Sequence, residues 1–279
     1  MTELSNVVIN AEKLAETLSK TRSDGPTEPL LLDIRTAEEF AAGHIPGAYR
    51  LDPGLLNRSA PPMNGLLPAA EDVAAWSAAL GLTFGSSAVV YDGSKSTAAA
   101  RALWVLNTYG FTNVQWLNGG LPAWTSAGQP IATEDSAPLT TTTPSSLVAN
   151  PALVLTKESL IKQFSDSNTE HQLIDARTKG EYEGSDVRSE RGGRMPGAVH
   201  YEWLDMFQSD GRLRPETELR AALSERNLDQ DVPAVVYCQS HQRSAVTYVV
   251  LKHLGYKQVA ALDGAWSNWG NDPATPIEI

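Results

Sequence analysis

Cysteine occurs once in the 279 residues, as Cys238. One thiol closes no intrachain disulfide, so a reducing, cytoplasmic setting is the expectation. No apolar run reaches the roughly 18 residues of a membrane span. The first twenty residues carry Glu3, Glu12, Lys13 and Glu16 and no apolar stretch, which argues against a secretory signal. Positive charge is scarce as well: 22 Lys and Arg stand against 33 Asp and Glu, a net charge of −11. The deficit is even, −6 over residues 1–140 and −5 over 141–279. With neither half basic, nucleic acid and anionic membranes are not expected as partners. An anionic substrate would need a local positive site. There is no Gly-x-Gly-x-x-Gly or phosphate-loop motif. His44, His171, His200 and His253 show no ligand spacing, and one cysteine makes no thiolate metal site. Neither metal nor cofactor is expected.

What the chain does have is an internal repeat. Leu31-Leu32-Asp33-Ile34-Arg35-Thr36 matches Leu173-Ile174-Asp175-Ala176-Arg177-Thr178. Pro46-Gly47-Ala48 matches Pro196-Gly197-Ala198. Ala88-Val89-Val90-Tyr91 recurs identically as Ala234-Val235-Val236-Tyr237, and Leu117-Asn118-Gly119 with Trp124 returns as Leu262-Asp263-Gly264 with Trp269. The anchors keep their order at offsets of 142 to 150 residues. That is too long for a solenoid period and indicates a duplicated domain. The expected division is a first domain over 1–136, a threonine-rich linker over 137–150 and a second domain over 151–279.

Each copy alternates short apolar runs with helical patterns. Leu30–Ile34, Ala88–Tyr91 and Asn113–Leu117 read as buried strands. Thr36 with Glu39 three residues on is a capping box. Thr97–Tyr109 is apolar at helical spacing and stops before Gly110. The second copy repeats this with strands near 172–175, 234–237 and 258–262 and a helix near 243–254. The fold class expected is α/β, two duplicated domains, each a mainly parallel sheet with helices on both faces.

Cys238 stands where the strand Ala234–Tyr237 ends and a helix is about to begin. Ligand sites in open α/β sheets form at that end of the strands. The loop Cys238-Gln239-Ser240-His241-Gln242-Arg243-Ser244 is short and polar, so its backbone N–H groups can form an anion-binding nest. The helix N-terminus and Arg243 add positive potential. All three favour a thiolate over a thiol, which makes Cys238 a candidate nucleophile. His241 is expected to point outward, since the backbone does the cradling. Arg177 could reach an anionic substrate over the loop, or form an ion pair with Glu181. Lys179, Arg188, Arg191 and Arg194 alternate with acids, so that stretch reads as a solvated loop.

These features together resemble the rhodanese superfamily, and its tandem-domain sulfurtransferases in particular. The resemblance runs through Asp175-Ala176-Arg177, Met195-Pro196-Gly197-Ala198, the six-residue loop Cys238–Arg243 and Leu262-Asp263-Gly264 with Trp269. In the first copy it runs through Asp33-Ile34-Arg35, Gly43-His44-Ile45-Pro46-Gly47-Ala48 and Leu117-Asn118-Gly119-Gly120. The active loop is similar to that of a bacterial group reading Cys-Gln-Thr-His-His-Arg. The resemblance implies transfer of the outer sulfur of thiosulfate, through a persulfide on Cys238, to cyanide or a thiol, which could be a protein thiol. It implies substrate-binding roles for Arg243 and Arg177, with Trp203 walling the site. It also implies that the first domain, with Asp92 in place of the cysteine, is inactive. The alternatives are a 3-mercaptopyruvate sulfurtransferase, with the same nucleophile, and a non-catalytic binding module. A phosphatase is disfavoured because Arg243 follows Cys238 by five positions rather than six.

Overall fold

The computed structural model describes residues 7–24, 28–95, 97–137, 139, 146–165 and 171–279. Ser96 and the threonine run 140–143 of the expected linker lie outside the described residues.

The first half runs β1 (Val8–Ile9), α1 (Ala11–Asp24), β2 (Leu30–Asp33), α2 (Ala37–Ala42), β3 (Tyr49–Arg50), β4 (Arg58–Ala60), β5 (Met63–Leu66) and α3 (Ala70–Ala79). It continues with β6 (Ala88–Tyr91), α4 (Thr97–Thr108), β7 (Val114–Leu117) and α5 (Gly120–Ser126). The second half runs β8 (Val154–Leu155), α6 (Lys157–Ser165), β9 (Gln172–Asp175), α7 (Lys179–Tyr182), β10 (Val199–His200) and α8 (Glu216–Glu225). It ends with β11 (Ala234–Tyr237), α9 (Arg243–His253), β12 (Val259–Leu262) and α10 (Ala265–Trp269).

The repeat in sequence is a repeat in topology. One sheet has the order β1-β7-β6-β2-β3 and the other β8-β12-β11-β9-β10, with every neighbouring pair parallel. The central strands β6 and β11 share the sequence Ala-Val-Val-Tyr and are buried along their whole length. A strand buried on both faces cannot alternate with polar residues, which is why these runs are continuously apolar. In the first unit α1, α2 and α5 bring Leu14, Phe40 and Trp124 against Leu31, Val89 and Leu117. The other face is covered by α4, which packs on β6 and β7. In the second unit Leu160 of α6 and Trp266 and Trp269 of α10 meet Leu173, Val235 and Leu262, while α9 covers β11 and β12 from the opposite side.

The expected capping box at Thr36 forms, and the second copy has its counterpart at Thr178. Thr36 accepts from the Glu39 N–H and Thr178 from the Glu181 N–H, and each glutamate returns a bond to the cap backbone. Each short helix therefore starts at a fixed residue, which aims the glutamate.

The compact units do not follow the halves of the chain. The first unit comprises residues up to Leu56, Pro68–Ala149 and Gln208–Leu213. The second comprises Asn57–Leu67, Asn150–Phe207 and Arg214–Ile279. The main change of unit falls between Ala149 and Asn150, and each half lends the other unit a short arm. The arm of the second unit is the antiparallel hairpin β4–β5, whose strand β5 packs on α10. It is fastened by polar bonds. The Asn64 N–H donates to Ser267 Oγ at 2.8 Å, and the Leu67 N–H donates to Asp263 Oδ1 at 2.7 Å. In the first unit the Leu213 N–H donates to Asn118 Oδ1 at 2.8 Å. Alternating apolar periodicity is absent from both arms, so the sequence reading had no signal for either.

Candidate active site

Cys238 is buried, with 1% of its surface exposed. Its carbonyl accepts the Trp266 N–H at 2.9 Å, and the Gln239 carbonyl accepts the Ser267 N–H at 2.8 Å. The first turn of α10 thus fixes the start of the loop. The loop then turns through His241, whose φ of 52° lies in the left-handed region. That conformation is uncommon for a residue with a Cβ and marks a constrained turn. Lys95, the counterpart of His241 in the first unit, has a φ of 54°. Both copies therefore make a left-handed turn at this position.

The loop side chains are directed one by one. Gln239 Nε2 donates to the Ser189 hydroxyl at 3.0 Å and to the Arg188 carbonyl at 3.2 Å. His241 Nδ1 lies 2.7 Å from Ser244 Oγ and the imidazole is buried. This corrects the expectation that His241 points outward: the left-handed turn swings its side chain inward. Gln242 Nε2 donates to Asn57 Oδ1 of the arm at 2.5 Å. Ser240 lies under Gly65 of the arm, so close that a Cβ at position 65 would stand 1.9 Å from the Ser240 carbonyl oxygen.

Arg243 is the first residue of α9 and is mostly buried. Its guanidinium meets Glu181 end on, Nη1 to Oε2 at 2.6 Å and Nη2 to Oε1 at 2.9 Å. The charge of Glu181 and the nearby Cys238 side chain together hold the arginine above its ordinary basicity, against the opposing effect of burial. Burial alone would push the Glu181 carboxyl up. The bidentate bond and charge of Arg243, joined by the Thr178 donors, outweigh it and hold Glu181 at about 2. Arg188 Nε lies 3.7 Å from the same carboxylate. From the sequence, Glu181 is expected only as a partner for Arg177. Its position in the capping box was the available signal, and its aim at Arg243 was not readable.

Arg177 does not reach the loop as a free cation. It is 1% exposed, and its Nε and Nη2 bind Asp175 at 2.9 and 2.5 Å while Nη2 also donates to the Gly193 carbonyl at 2.7 Å. The Trp266 ring lies 4.3 Å from its guanidinium carbon. The substrate-binding expectation for Arg177 gains no support: its Nε and Nη2 donors are spent on the fold. The stretch around Arg191 is exposed at residues 185–188 and at Glu190, while Arg191 itself is anchored. Arg191 donates to the carbonyls of Thr275, at 2.9 Å, of Trp269, at 3.2 Å, and of Asp272. Trp203 is half-buried in a 3-10 turn over Trp203–Met206 and packs edge-on against Phe207, with ring centroids 5.9 Å apart. A cleft of about 480 Å³ lined by Arg220, Asn227, Asp229 and Tyr256 contains none of these residues.

In the first unit the position of Cys238 is held by Asp92, whose Oδ2 accepts the Ala99 N–H at 2.9 Å. A carboxylate attached to the chain thus occupies the helix-start position that Cys238 occupies in the second unit.

Duplicated parallel α/β units with a buried cysteine at a strand end, in a loop closed by arginine, define the class. The rhodanese-like domain model matches residues 11–127 and again 156–272, and the chain belongs to the rhodanese family. It is 36% identical over 255 residues to the thiosulfate sulfurtransferase of Pseudomonas aeruginosa, covering 91% of this chain and 93% of that one. It is 32% identical over 249 residues to the 3-mercaptopyruvate sulfurtransferase of Escherichia coli, covering 88% and 87%. Among solved structures, the anaerobic ergothioneine biosynthesis enzyme from Chlorobium limicola superposes with a TM-score of 0.85 at 22% identity, covering 98% of this chain and 70% of that one. That last likeness is one of fold.

Proposed function

We propose that the chain is a thiosulfate sulfurtransferase working through a persulfide on Cys238. The observation that carries the reading is the buried cysteine directly after β11, in a short loop closed by Arg243 at the start of α9. The relatives named thiosulfate sulfurtransferase support the choice of donor. The Cys238 thiolate attacks the outer sulfur of thiosulfate. The sulfur–sulfur bond breaks and its electron pair leaves on sulfite. The persulfide anion left on Cys238 is stabilised by the remaining Arg243 donors, the loop N–H groups and the start of α9. Cyanide or a thiolate, which could belong to a protein, then attacks the terminal sulfur and the Cys238 thiolate is regenerated. Two half-reactions sharing one covalent intermediate give ping-pong kinetics.

The first unit has a carboxylate at position 92 and no sulfur to carry, so its role in this reading is structural. A cytoplasmic location belongs to the same reading, supported by the single free thiol. No helix among the described residues is long and apolar enough to cross a membrane. The 3-mercaptopyruvate reading uses the same nucleophile and is supported by the Escherichia coli relative.

Intact mass of the purified protein before and after cyanide tests the reaction class. The expected result is loss of one sulfur mass with cyanide and its return with thiosulfate. A mass indifferent to both reagents overturns the reading.

A further inference from the structure

Glu181 has a duplicate that isolates what is special about it. Glu39 stands at the same capping-box position of α2, and there it is exposed. The residue facing the loop at the counterpart of Arg243 is Thr97. The glutamate's local duty, returning a bond to the cap backbone, is therefore met in both copies. Only in the second copy is the carboxylate fully buried and committed to a loop arginine.

The geometry restricts what Arg243 can do. A guanidinium carries five N–H donors in a rigid plane. The end-on pairing with Glu181 uses one donor on each terminal nitrogen. The Nε–H and one outer N–H on each terminal nitrogen are left for whatever sulfur anion the loop holds. Fixing one end of the plane fixes the other. The pairing also offsets the arginine's unit charge within bonding distance.

We propose that Glu181 is a positioning residue for sulfur transfer, which holds the Arg243 guanidinium beside Cys238 and cancels its net charge, so that the loop stabilises a persulfide monoanion without trapping the dianions thiosulfate and sulfite. The inference rests on the sulfurtransferase reading. An uncompensated arginine would attract a dianion more strongly than a monoanion. It would hold sulfite after the first half-reaction and slow its release. A paired arginine offers directional hydrogen bonds with little net charge, which favours the covalent anion that cannot diffuse away.

Glu181→Gln is the informative variant, because glutamine also serves in a capping box. It removes the charge and leaves the cap. The expected result is a fall in kcat of about fivefold or more, with the thiosulfate KM and the sulfite dissociation constant both tightened about threefold or more. In an Arg243→Ala background Glu181→Gln should add nothing further. Glu181→Asp keeps the charge on a shorter stem, so sulfite affinity should stay near wild type while kcat falls. It also serves if the glutamine variant does not fold. Thr36→Ala breaks the equivalent cap of the first unit, which touches no loop arginine, and should lower the melting temperature only. Sulfite affinity is read by calorimetry without turnover. A wild type inert toward thiosulfate would sink the functional reading. An active wild type with unchanged sulfite affinity and kcat in Glu181→Gln, with additive effects on Arg243→Ala, or with tightened sulfite binding in Glu181→Asp, would sink this inference.

Discussion

Arg177 binds Asp175 through the same atoms, at the same distances, as Arg35 binds Asp33: Nε to Oδ1 at 2.9 Å and Nη2 to Oδ2 at 2.5 Å. In each copy Nη2 also reaches a glycine carbonyl at 2.7 Å, Gly43 in one and Gly193 in the other. A pair that is present where there is no cysteine belongs to the fold. Removing one partner of a buried ion pair strands the other, at a cost of about 3–5 kcal/mol. Arg35→Met and Arg177→Met should therefore destabilise by similar amounts in urea unfolding. A large loss for Arg177 alone would point to a duty specific to the second unit.

Gly65 has no room for a side chain. Its φ is 68°, and the atom a Cβ would strike is a backbone oxygen, which cannot rotate away. Its counterpart Gly211 would strike the Ser94 hydroxyl at 2.0 Å, a group that can turn aside. Gly65→Ala should cost about 2 kcal/mol or more and reduce thiosulfate turnover by displacing the loop at Ser240. Gly211→Ala should cost less and leave turnover near wild type. Thermal unfolding and steady-state rates check both.

Burial drives the Asp92 carboxyl up to about 7, against the Ala99 and Ala98 N–H groups that favour its charge. The unfolded chain ionises this group near pH 4. Between about pH 4 and 7 the folded state therefore binds the extra proton. Its stabilising effect is full below pH 4, declines as the pH rises and is lost above pH 7. Asp92→Asn, which cannot ionise, should flatten this decline and be more stable than wild type at pH 8. Urea unfolding at pH 5 and pH 8 measures it, and a variant weaker than wild type at pH 8 would refute it. Thiosulfate turnover should not change.

Cys238→Ala and Cys238→Ser should abolish thiosulfate:cyanide activity without unfolding the chain. Arg243→Ala should reduce it roughly ten- to hundredfold, since charge-assisted hydrogen bonds contribute about 1.5–3 kcal/mol. With cyanide as common acceptor, kcat/KM should favour thiosulfate over 3-mercaptopyruvate. A tenfold preference the other way would reassign the donor and leave the nucleophile in place.

The buried strands were readable because their apolar runs are unbroken, and the capping box of α2 because Thr36 and Glu39 stand three apart. The partner of Arg177 was not. The rule that residues four apart face one another holds inside a helix. Arg177 precedes the cap of α7, so its side chain returns to Asp175 instead of reaching Glu181. His241 was misread for a related reason, since a left-handed turn reverses the direction that an extended loop would give. The arms were invisible because nothing local in Asn57–Leu67 says which sheet it will join.

The exchange of arms has a consequence for descent. After a duplication, a copy that has lost its reactive residue is ordinarily free to decay and be deleted. Here deletion of the first copy would also remove Gly65, Asn57 and the hairpin that lies on the loop of the surviving cysteine. On the sulfurtransferase reading, selection on Cys238 therefore also acts on a segment carried by the copy that has no thiol of its own.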